Sequence, residues 1–140
     1  MATFNKFNAF VADLANKVHN LGSDTLKICL TNTAPVSTNT IFSNIAEVAS
    51  GNGYTTGGNA CSLASSSQAS GLYKLILGAP ATWTAAGGSI GPFRYAVLYN
   101  STAAGGNLIG YWDYGSSVTL ASGETFAVSL DATNGVLQLT

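Results

Sequence analysis

The sequence predicts a mainly β domain, an antiparallel sandwich or barrel preceded by one N-terminal amphipathic helix. Three observations carry this. Residues 4–21 hold the one convincing apolar stripe of helical period. From Thr25 onward the apolar period drops to two. Turn signals then recur at roughly 8–12-residue spacing, the rhythm of a sandwich or barrel and not of an α/β fold. A length of 140 residues fits a single domain, 1–22 as a helical segment and 25–140 as the β body.

In the helical segment Phe4, Phe7, Phe10, Val11, Leu14, Ala15, Val18 and Leu21 fall on one face. Asn8, Asp13, Asn16, Lys17 and Asn20 fill most of the rest. Asp13 precedes Lys17 by four, the favourable order for an exposed helical ion pair. Lys17 and His19 occupy the expected last turn, where positive charge suits the helix dipole, and Gly22 supplies the stop. The stripe requires burial, either on the domain's own sheet or against a neighbour.

In 26–31, Leu26, Ile28 and Leu30 face one way and Lys27, Cys29 and Thr31 the other, the pattern of a half-buried strand. Ala34-Pro35 ends it. Ile41, Ile45 and Val48 are spaced for a helical turn or two, with Ser43 as a cap. Gly51-Asn52-Gly53 and Gly57-Gly58 bracket Tyr54 in a loop. Strands are then expected at 59–64, 72–77, 82–85, 93–99, 108–114, 117–120, 125–130 and 136–139. Gly78-Ala79-Pro80, Gly87-Gly88, Gly105-Gly106, Ser122-Gly123 and Asn134-Gly135 punctuate them. The Ser/Ala-rich stretch from Ala60 to Ser70 is weakly patterned. The 93–99 strand is apolar on both faces except at Arg94, so it is central or has its outer face in an interface.

Only 8% of the chain is charged, against roughly 25% in ordinary soluble domains. Serine, threonine, asparagine and glycine make up 58 of the 140 residues and supply neutral hydrogen-bonding groups instead. A net charge of −1 argues against nucleic acid, whose affinity rests on several Lys/Arg–phosphate contacts. The N-terminal residues lack the basic-then-apolar order of a signal peptide. The greasiest run, 75–81, is far short of the ~20 residues that span a bilayer. Cys29 and Cys61 are expected as two reduced, packed thiols, and with His19 they share no zinc-ligand spacing.

Catalytic chemistry finds little footing. His19 is the single histidine, expected to be exposed at a helix end, and no GxSxG or phosphate loop is present. Asp113 lies within Tyr111-Trp112-Asp113-Tyr114, an aromatic setting suited to sugars. Glycoside hydrolysis requires a second carboxylate, and strand alternation does not aim Glu124 into the same cleft. Asp113 is instead expected to pair with Arg94. Most aromatics belong to the core, but Tyr, Trp and Arg are also the residues that anchor protein contacts. Trp112, Tyr111 and Arg94, with Trp83 at the periphery, are the interface candidates. No catalytic, cofactor or metal residues are assigned.

Three stretches carry a resemblance: 26–35 with 51–58, Gly91-Pro92-Phe93-Arg94-Tyr95-Ala96-Val97-Leu98-Tyr99-Asn100, and Leu108-Ile109-Gly110-Tyr111-Trp112-Asp113-Tyr114-Gly115. Across most of 3–140 the chain resembles the head decoration, or cement, proteins of tailed bacteriophages. The resemblance implies a jelly-roll-like β-sandwich that assembles as a homodimer or homotrimer on the exterior of the mature capsid. It implies the major capsid protein as partner, no enzyme activity and no cofactor. The alternative from another class is a carbohydrate-binding β-sandwich of a phage tail or receptor-binding module.

Overall fold

The computed structural model describes residues 2–140. One antiparallel sheet runs in the order β1 (Phe4–Lys6), β8 (Leu108–Leu120), β7 (Ile90–Asn100), β2 (Leu26–Thr31) and β3 (Asn59–Ala60). Facing it are β10 (Leu137–Leu139), β5 (Leu72–Gly78) and β4 (Ser62–Ala69), with the short pair β6 (Trp83–Thr84) and β9 (Thr125–Phe126). Ile28, Leu30, Phe93, Leu98 and Ile109 of the first sheet meet Leu75, Leu77, Trp83 and Leu137 across a common core. The arrangement is a mainly β, antiparallel sandwich with one short α-helix, as the period-two patterning requires.

A second, smaller core covers the outer face of the five-stranded sheet. Phe7, Cys29, Val97, Tyr99 and Leu108 pack there beneath Phe42 and Ile45. This explains why 93–99 is apolar on both faces: β7 is central, and the chain's own 42–45 segment closes its far side. It also corrects β2, which is not half-buried. Cys29 and Thr31 are as inaccessible as Ile28 and Leu30. Cys29 and Cys61 lie in different cores, both buried and unbridged.

The long N-terminal helix is not formed. Phe4–Lys6 pairs with β8, so tertiary pairing overrides the local helical period there. Helix α1 covers only Ala9–Ala15, and Lys17, not Gly22, takes the left-handed conformation past its end, at φ 69°. The stripe is buried at Phe7, Phe10 and Leu21, while Val11 and Val18 face solvent. Asp13 does not bridge to Lys17; its carboxylate accepts the Asn107 side-chain amide at 2.9 Å. Of the helical turn or two expected at 41–48, one 3₁₀ turn forms at 42–44, capped by the Asn44 side chain rather than by Ser43.

Strand boundaries differ where pairing, not local pattern, decides them. The Ser/Ala-rich stretch is a full strand, β4, turned back onto β5 through Ser70 and Gly71, both at positive φ. The two segments expected at 108–114 and 117–120 are one strand, with Gly115 at φ 100° within it. Conversely, 125–130 is a ladder only at Thr125–Phe126. Residues 127–130 continue the alternation without a partner strand.

Candidate functional site

The β7–β8 pairing shifts register on both sides of Phe93. Strict alternation therefore breaks at Arg94, and its side chain reaches Asp113 on β8. Arg94 Nε donates to Asp113 Oδ1 at 2.8 Å and Nη2 donates to Oδ2 at 2.9 Å, a planar fork on a planar carboxylate. The Gly115 amide donates to the same Oδ1 at 2.8 Å. These bonds, Arg94's first and Gly115's second, hold the Asp113 carboxyl below its ordinary value. The guanidinium also lies over the Tyr95 ring, 5.4 Å from its centroid.

Beside this pair opens a cleft of about 450 Å³. On one wall Trp112 stacks obliquely on Phe4, with ring centroids 5.2 Å apart. The other wall is the unpaired 127–130 segment, which presents Val128 and Leu130. At one end Phe126 meets Phe93 edge-on at 4.9 Å and Tyr114 edge-on at 5.7 Å. Two charged residues line the cleft, Arg94 and Asp131. Both are committed. Asp131 accepts the backbone amides of Thr133 and Asn134 at 2.8 Å each, plus the Asn134 side chain at 3.0 Å. The surface left for recognition is mostly aromatic and aliphatic, with Ser129 and the tyrosines Tyr95 and Tyr114 as its neutral polar groups.

Of the four interface candidates, Arg94 and Trp112 meet at this cleft. Tyr111 faces away, as strand alternation demands of Trp112's neighbour, and packs on Phe7 at 5.3 Å in the outer core. Trp83 is not peripheral. It is 2% exposed between Tyr54 and Phe126, with no hydrogen-bond partner for its indole N–H. Phe4, Tyr95, Tyr114, Phe126, Val128 and Leu130 complete the cleft. Sequence reasoning assigned Phe4 to a helix and the others to core or strand. The available signal was aromatic clustering in 93–99 and 111–114, which marks a region but not which face stays open.

His19 is not exposed either. It is buried against Phe10, its Nδ1 accepts the Asn100 side-chain amide at 3.0 Å, and its Nε2 has no partner. Burial lowers its pKa against the opposing pull of Asp13 and Asp24. Asn100 gives another hydrogen bond to Asp24 at 2.7 Å, so this cluster pins the 19–24 turn to the end of β7. Glu47 serves a similar structural end, accepting the Tyr54 hydroxyl and the Gly57 amide at 2.6 Å each. Tyr54 Oη in turn accepts the Leu30 amide at 3.0 Å. Glu124 caps its own turn by accepting the Ala121 amide. Burial pushes the Cys61 thiol up to about 12 and raises that of Cys29 as well, opposite to what a nucleophilic thiolate needs.

Among the described residues, no group of three or more His, Cys, Asp or Glu side chains is placed to hold a metal ion, and no helix is long and apolar enough to cross a membrane. The chain matches no protein-family profile, no curated protein and no solved structure.

Proposed function

We propose that this chain is a non-enzymatic structural protein of a tailed-phage virion, one that decorates the capsid exterior and stabilises the shell by bridging major capsid proteins. The carrying observation is the cleft, whose two charged residues are already satisfied within the chain while Phe4, Trp112, Phe126 and Val128 stay available to a partner. Such a surface suits an apolar protein patch. Its lining is mostly apolar, the character of the buried centre of a protein contact, which speaks for a protein partner over the carbohydrate-binding tail module. The remaining ionisable clusters at His19, Glu47 and Glu124 hold turns and strands together, which fits a structural body better than an enzyme.

A protein that binds only the assembled shell stabilises it by mass action, and repeated copies that each bridge two capsomers add avidity. The test is copy number: quantitative mass spectrometry of purified particles should place this chain among the most abundant virion proteins. A few copies per particle, together with binding to a glycan array, would replace this assignment with the tail module.

A further inference from the structure

Among the described residues, β4 is the longest strand that stands at the edge of a sheet. β1 and β10 are three residues each, β1 ends in Lys6, and β3 is two residues long. β4 runs for eight, Ser62-Leu63-Ala64-Ser65-Ser66-Ser67-Gln68-Ala69, without a charge or a proline. Its backbone pairs with β5 on one side; on the other, among the described residues, it bonds to nothing. A lysine, a proline or a covering loop ordinarily blunts such an edge. β4 carries only one such device, a register shift between Leu63 and Ser65. Ser65–Ala69 beyond it pairs regularly with β5 and is as long as a typical strand.

We infer that two copies of this chain join through β4, edge to edge and antiparallel across a twofold axis, so that their β4–β5 sheets become continuous. The strand's composition selects a second copy as the occupant. In an isologous contact a residue meets its own kind or a near neighbour, so any charge would oppose a like charge. β4 has none. Its outward residues, Ser65 and Ser67, sit opposite Ile76 and Lys74 and lie 3.1 Å apart at their hydroxyls. They leave the free edge unobstructed. Ser66 faces the core side, its hydroxyl 2.7 Å from the Tyr73 hydroxyl, so substitutions at 65 and 67 do not disturb the interior.

The inference is independent of shell binding and is read on the free protein. Sedimentation velocity from about 1 µM to about 100 µM should reveal a concentration-dependent dimer. A Ser65→Glu/Ser67→Glu double variant places like charges across the junction while Lys74 favours them within the chain. It should melt like wild type but weaken dimerisation about tenfold or more. Mixing it with a Ser65→Lys/Ser67→Lys double variant should restore the dimer. In a Ser67→Cys variant, where Cys29 and Cys61 are buried, a bismaleimide of about 10 Å span should give a covalent dimer, since it covers opposed and diagonal cross-strand positions. A wild-type chain that stays monomeric throughout, or a Glu variant that dimerises as wild type does, would overturn the inference.

Discussion

Arg94 and Asp113 form a two-bond fork, 2.8 and 2.9 Å, between the two central strands at the rim of an apolar cleft. The pair converts the one charged interruption in the most aromatic strands into a neutral feature. Both side chains remain more than a third exposed, so the fork serves geometry and neutrality more than stability. The Asp113 carboxyl is depressed in the folded chain. Its contribution is therefore present above the ordinary aspartate value of 3.8 and is lost as pH falls through the folded value. Arg94→Ala should lower the melting temperature slightly at neutral pH, and the gap to wild type should close in strong acid. A gap unchanged across that range would mean that the fork contributes nothing.

His19 gives the opposite pH window. Burial favours its neutral form, so stability is fully present above the ordinary value of 6.5 and declines as pH falls below it. Protonation at Nδ1 would set donor against donor at the Asn100 amide. The melting temperature should fall between about pH 7 and pH 5, and His19→Gln should flatten that slope. As the single histidine, its NMR titration should show a midpoint below 6.5.

Trp83 and Trp112 separate core from cleft. Trp83 is fully enclosed, and Trp83→Ala should cost about 4 kcal/mol in urea unfolding. Trp112 is half-buried against Phe4, and Trp112→Ala should cost about 2 kcal/mol and remain folded. Equal losses would place Trp112 in the core as well.

Tyr54→Phe tests the buried hydroxyl that links the Leu30 amide to Glu47. Removing it strands the Leu30 N–H in the core and should cost about 1–3 kcal/mol by urea unfolding. A neutral result would mean that another group takes up that amide.

Period-two patterning and glycine-marked turns made the sandwich legible from the sequence, because side-chain alternation is a local property of a strand. The Arg94–Asp113 pair was legible for a different reason: two charges in otherwise aromatic strands have few other partners. Phe4 was misplaced because its spacing from Phe7 and Phe10 fits a helix, whereas the ladder with Trp112 is a contact between residues 108 positions apart. His19 and Trp83 misled for the same reason, since their enclosure depends on Asn100 and Tyr54, which local spacing does not reveal. The β4 edge was hidden because small polar residues carry almost no periodic signal.

The most direct test of the central claim is cosedimentation of the purified protein with expanded capsids lacking it, for wild type and for folded Trp112→Ala, at low and high salt. The account predicts saturable wild-type binding nearly insensitive to salt, because few charges are free to contribute, and a loss of about 2 kcal/mol or more of binding free energy for Trp112→Ala. Wild-type binding that collapses with added salt, or a folded Trp112→Ala that coats shells at wild-type affinity, would contradict it.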